Sequence, residues 1–275
     1  MFWKLSAALL GCAVAVAAFD ALPPYTGPYP LQDRDHATPM NSIGLALKQK
    51  PVIDILFIGN SFTFTGDMPA QLVNIAASDG RAPARLRVSA ATIPSASLSQ
   101  DWDQGDALKL LKSRHFDYVV LQEESAWPYR QDVKPTYDAI GQWVDAARAA
   151  GTKPVLFETW ADKDGGPSYQ PGWICDGMTP TAAQAVVAEA TDKLAANYGL
   201  DVVRVGERFT DIAQTAGAPD LFKDDRHHPS QAGAFVSALM FYKALAGGDA
   251  TKVSYHPPEL TPGQAARIEA LVTPS

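Results

Sequence analysis

The sequence predicts a three-layer α/β domain built on a mostly parallel five-stranded sheet, and two observations carry that prediction. Short, β-branched apolar runs recur along the chain, and stretches with helical periodicity fall between them. Strands and helices that alternate in this way assemble as a parallel sheet covered on both faces, with right-handed crossovers. In such sheets the working groups collect beyond the carboxyl ends of the strands.

The apolar runs are, in order, VIDILFI from Val52, RLRVSA from Arg85, YVVLQ from Tyr118, PVLFET from Pro154 and DVVRV from Asp201. Each is short and nearly continuous in hydrophobicity, which suits a strand buried on both faces. The helical stretches are MPAQLVNIAASDG, DALKLLKSR, PTYDAIGQWVDAARAAG, TAAQAVVAEATDKLAANYG and SQAGAFVSALMFYKALAG. Gly151 and Gly199 stand where a glycine that ends a helix belongs.

A chain of 275 residues with 47% hydrophobic content can bury one large core without needing a second. Its first 17 residues read as a secretory signal: Lys4, then an apolar stretch, then Ala15-Val16-Ala17 as a small-residue cleavage site. The apolar run is shorter than the roughly 20 residues that a spanning helix needs, so stable membrane insertion is not expected. Lipid attachment at Cys12, in LLGC, is a minority reading of the same segment. Residues 18–50, rich in Pro, Gly and polar side chains, read as an irregular arm, and residues 51–275 as the folded domain. Export predicts a secreted or periplasmic protein. Cleavage after Ala17 leaves Cys175 as the one cysteine, so the core must be held by packing.

The formal charge of −7, with Lys and Arg scattered, gives no electrostatic footprint for nucleic acid or an anionic membrane surface. A small-molecule or polysaccharide substrate of little charge fits better. Nothing in the sequence reports oligomeric state.

Ser61 ends the first apolar run, in FIGNS, with Gly59 permitting a tight turn and a following helix offering free N–H groups. A serine there is either a helix cap or an exposed nucleophile. At the other end of the chain, in KDDRHHPSQAGAF, Asp225 and His228 stand three apart on the loop into the last helix. A histidine in reach of Ser61 takes its proton, and a carboxylate on the other ring nitrogen fixes the tautomer. These are the parts of a serine esterase. His227 could be the base instead, although it lies only two residues from Asp225. Asp224, Asp225, His227 and His228 lack the spacing of a zinc site, and no metal or other cofactor is expected. Both histidines could also simply cap the last helix.

Through FIGNS and DRHHPS, read as Asp-x-x-His-Pro-Ser, the chain resembles the SGNH (GDSL-like) hydrolase superfamily from about Val52 to Ala246, with Asn60 marking a GNS variant of the first block. The resemblance implies a flavodoxin-like α/β/α sandwich, Ser61 as nucleophile, His228 as general base then acid, and Asp225 as its orienting carboxylate. It also implies an oxyanion hole: the Ser61 N–H, the N–H of Ser95 in ATIPSASLSQ, and, where LQEESAW replaces a Gly-x-Asn-Asp block, the side-chain amide of Gln122.

Asn60, Glu123, Trp127 and Trp160 fall after strand ends and are candidates for substrate binding; Glu124, Glu158 and Asp162 share that rim. The bland reading of the tryptophans is packing over a sheet edge. Glu123 and Glu124 could serve as a glycosidase pair, but adjacent strand residues point to opposite faces. The function expected is hydrolysis of carboxylic esters through an acyl-enzyme, most simply removal of O-acetyl groups from a carbohydrate. A short-chain lipid or aryl esterase is the alternative within that class, and a catalytically weak glycan-binding protein the alternative outside it. A histidine base predicts a rate that falls in acid as the imidazole protonates.

Overall fold

The computed structural model describes residues 32–34 and 50–273. The expected signal segment, its cleavage site, Cys12 and most of the expected arm lie outside the described residues.

Among the described residues, six strands form one sheet: β1 (Gln32–Arg34), β2 (Val52–Gly59), β3 (Arg85–Thr92), β4 (Tyr118–Leu121), β5 (Lys153–Glu158) and β6 (Asp201–Arg204). Their order is β1-β3-β2-β4-β5-β6. The five strands expected from the apolar runs are all mutually parallel. The sixth, β1, joins the β3 edge antiparallel, with Asp33 opposite Ser89. Its sequence, QDR, carries no apolar period, so only the free edge of β3 identifies it as a strand.

The helices are α1 (Ser61–Phe64), α2 (Met68–Ser78), α3 (Leu98–Gln104), α4 (Asp106–Ser113), α5 (Lys134–Ala149), α6 (Pro180–Tyr198), α7 (Val205–Ala213), α8 (Gln231–Ala246) and α9 (Pro262–Val272). The alternation of side chains along β2 shows why its sequence is apolar throughout. Ile55 and Phe57 enter one core with Leu72 of α2, Phe209 of α7, Phe235 and Phe241 of α8 and Ile268 of α9. Leu56 and Ile58 enter the other with Leu98 of α3, Leu111 of α4, Trp143 of α5 and Leu194 of α6. Both faces are therefore sealed, and the architecture is a three-layer α/β/α sandwich. Phe57 and Phe157 each meet the Phe241 ring edge-on at 4.9 Å, which ties the middle of the sheet to α8. Gly151 and Gly199 take positive φ after α5 and α6, as their positions suggested.

The chain leaves β2 for β3 on one side and then crosses back to β4 on the other. Such a reversal opens a crevice at the carboxyl end of the central strands. Ser61 follows β2 directly and stands at that crevice.

Candidate active site

Asn60, not Ser61, caps α1: its side-chain oxygen accepts the Phe62 N–H at 3.1 Å. Ser61 is thus the first helical residue, with a first-turn N–H that has no acceptor within the helix and a hydroxyl released from capping. That hydroxyl lies 2.9 Å from His228 Nε2. His228 Nδ1 in turn lies 2.8 Å from Asp225 Oδ2. Ser61, His228 and Asp225 form one hydrogen-bonded chain.

The loop that carries the last two is held by its own backbone. Asp225 Oδ1 accepts the N–H groups of His227 at 3.0 Å and His228 at 2.9 Å, and Arg226 turns through φ 60° between them. Burial pushes the Asp225 carboxyl up, but these amides and the His228 ring outweigh it and hold the group below its ordinary value. Ser230, rather than either histidine, caps α8, its oxygen accepting the Gly233 N–H. Trp160 supports the loop from below, with Nε1 donating to the His227 carbonyl at 3.1 Å and its ring stacked on Phe209 at 4.3 Å.

Ser95, after β3, has φ 59°, a left-handed conformation that any residue but glycine adopts at a cost. It is exposed. The Asn60 amide reaches the Ala96 carbonyl at 2.9 Å and so ties this loop to the start of α1.

Gln122 is a correction to the sequence reading. It is fully buried, its Nε2 donates to the Glu123 carbonyl at 2.7 Å, and its Oε1 accepts from the Asn60 N–H at 2.8 Å and the Thr63 hydroxyl at 3.0 Å. Buried, and with one amide N–H spent on the Glu123 carbonyl, it clamps the turn before Ser61. Gly59 belongs to the same clamp. A Cβ there would meet Gln122 Oε1 at 2.6 Å and Cβ at 2.8 Å, so glycine is needed for close approach rather than for a tight turn. Gly59→Ala is expected to destabilise the fold by about 1–3 kcal/mol, read from urea unfolding midpoints.

The four substrate-binding candidates are corrected too, because all are buried. Asn60 spends both ends of its amide on backbone. Trp127 and Trp160 pack in the two cores. Glu123 accepts the Leu98 and Glu124 N–H groups beneath the Ser95 loop. Burial raises its carboxyl to about 7 against the pull of those two bonds, and buried Asp101 beside it is raised by burial and by Glu123. Of the wider rim, Glu158 is a buried ion-pair partner of Arg204 at 3.2 Å, and Glu124 pairs with Arg130 at 2.9 Å. Asp162 holds His227, 65 residues away, at 2.6 Å. No local signal in the sequence could have matched these two.

Among the described residues, no group of three or more His, Cys, Asp or Glu could hold a metal ion, and no helix is long and apolar enough to cross a membrane.

No protein-family model matches the chain, and no curated protein matches it in sequence. Solved structures do. A candidate SGNH hydrolase from Slackia heliotrinireducens is 27% identical, with a TM-score of 0.57 over 72% of this chain and 100% of its own. A DUF4886 family protein from Bacteroides uniformis is 19% identical, with a TM-score of 0.68 over 80% of this chain and 93% of its own. An acetyl xylan esterase is 15% identical, with a TM-score of 0.54 over 70% of this chain and 100% of its own. The chain has the fold of the SGNH hydrolases, as the FIGNS and DRHHPS blocks suggested.

Proposed function

We propose that this protein is a serine esterase that cleaves carboxylic esters through an acyl-enzyme. The observation that carries the reading is the chain from Ser61 Oγ to His228 to Asp225, at 2.9 and 2.8 Å, at the carboxyl end of the central strand. His228 accepts the Ser61 proton as the hydroxyl attacks the ester carbonyl. Asp225 accepts from Nδ1 and stabilises the imidazolium that forms. Negative charge then develops on the carbonyl oxygen, beside the N–H groups of Ser61 and Ser95, which are oriented before the reaction begins. His228 next gives its proton to the leaving alcohol and activates the water that frees the acid. With Gln122 engaged elsewhere, two backbone donors carry the oxyanion in this reading.

The substrate class we favour is O-acetyl groups on a carbohydrate, met outside the cytoplasm after export. Support comes from the fold shared with an acetyl xylan esterase and from the low, scattered charge. Incubation with acetylated xylan, with released acetate assayed enzymatically, tests it: acetate release abolished in Ser61→Ala is expected. Release from short-chain lipid or aryl esters but not from xylan would move the substrate class to those esters.

A second reading, a glycan-binding protein with weak catalysis, draws on the internal use of the Gln122 amide. It predicts an acetylated oligosaccharide that is bound but remains intact after long incubation, with equal affinity in Ser61→Ala.

A further inference from the structure

Next to the base lies a second histidine–carboxylate pair that the cycle above leaves idle. His227 Nδ1 is 2.6 Å from Asp162 Oδ1. Asp162 is 6% exposed, and its other oxygen accepts the Ser168 N–H at 2.9 Å. An ionised carboxylate can only accept, so the Asp162 contact places the ring proton on Nδ1. Nε2 of the neutral ring is then an acceptor, and it has no partner among the described residues. The side chain is 25% exposed, whereas the Asp162 carboxylate that holds Nδ1 is buried.

The ring cannot swing aside. Its backbone N–H is held by Asp225 and its carbonyl by Trp160. The ring packs on Phe62, the neighbour of Ser61, at 4.8 Å and meets the His228 ring edge-on at 4.7 Å.

Position along the rim decides which part of an ester it would meet. The Ser95 loop follows β3, on one side of β2, whereas His227 is tied to Asp162 after β5, on the other. The oxyanion lies on the Ser95 side. The leaving alcohol must lie within reach of His228, which protonates it, and hence on the side of His227.

We propose that His227, oriented by Asp162, binds the alcohol part of the ester, its Nε2 accepting a hydrogen bond from a hydroxyl group neighbouring the ester oxygen. The site thereby selects acetylated polyols such as sugars over esters whose alcohol part carries no donor. A pocket built to bond a substrate hydroxyl discriminates against an analogue that lacks it, because its own polar group is left unpaired. This inference rests on the esterase reading.

The test compares kcat/KM for a methyl xyloside monoacetate with a free neighbouring hydroxyl and for phenyl acetate. His227→Asn keeps a donor near the place of Nδ1 and deletes Nε2; the sugar-to-phenyl ratio is expected to fall about five- to ten-fold. His227→Gln, which returns a polar group near the place of Nε2, is expected to recover most of it. A ratio unchanged within two-fold in folded His227→Asn overturns the inference. Should that variant not fold, nitrogen-15 spectra of the wild-type rings decide. An unprotonated His227 Nε2 that shifts when methyl xyloside is added supports the assignment, and a protonated or unresponsive Nε2 overturns it. The two levels separate cleanly: an inactive Ser61→Ala with an unchanged ratio defeats only the role of His227, whereas an active Ser61→Ala defeats the esterase reading itself.

Discussion

Replacing Ser61 with alanine, or His228 with alanine, is expected to lower kcat for phenyl acetate by about 10⁴-fold or more while the fold is retained. The size follows from the way the two groups act. Their atoms lie 2.9 Å apart, and neither performs its step without the other: a serine hydroxyl without a base is a poor nucleophile, and the base has no other substrate proton to take. The double variant should therefore be no slower than either single one. Asp225→Ala should cost less, because the His228 ring also rests edge-on against Phe62 and stays near Ser61. Circular dichroism of each variant separates lost chemistry from lost fold. Turnover within ten-fold of wild type in Ser61→Ala or His228→Ala would remove that residue from the mechanism.

Stability is expected to fall as pH rises from about 4.5 to 7, and Glu123→Gln is expected to remove much of that fall. Burial raises the Glu123 carboxyl from 4.5 to about 7 in the folded protein. Between those values the folded chain holds a proton that the unfolded chain has released. The stability is thus fully present below 4.5, is lost as pH climbs through 7, and levels off above it. A shift of that size corresponds to about 3 kcal/mol. Glu158, raised to about 7 by burial with Arg204 pulling the other way, adds a fall of the same sign. Glutamine keeps the oxygen that accepts from Leu98 and Glu124 but has no proton to lose. Urea unfolding at pH 5 and pH 8 reads the difference. A wild-type midpoint that is flat across this range, or a Glu123→Gln variant with the same slope as wild type, would show that the buried carboxyl is not penalised.

The five parallel strands were legible in the sequence because burial on both faces writes a continuous apolar run, as Ile55 to Ile58 illustrates. β1 was not, since three polar residues make a strand only when a partner edge is available. α3 and α9 did carry a signal: Ser97 with Gln100 and Thr261 with Gln264 each form a reciprocal cap, a pattern readable as S/T-x-x-Q. α7 had none, because it starts directly where β6 ends, with no capping side chain or turn residue between them.

The site divides in the same way. Ser61, Asp225 and His228 sit in two short blocks whose residue types are rare in combination, and the fold brings those blocks together. What the sequence could not convey is which polar groups near the crevice are already spent. Gln122 looks like a free amide at a strand end until its contacts with Asn60, Thr63 and Glu123 are known. Trp127 and Trp160 look like a substrate platform until they are found in the two cores. Conversely, the His227–Asp162 pair joins positions that nothing in the sequence links, and only the adjacency of the segment after β5 to the α7–α8 loop creates it.

The most direct test of the central claim is to treat the folded protein at neutral pH with an aryl phosphonate ester and map the adduct by mass spectrometry. The account predicts one adduct per chain, on the peptide that contains Ser61, absent from Ser61→Ala and formed far more slowly in His228→Ala. A folded protein that gains no adduct, or that gains the same adduct in Ser61→Ala, would contradict it.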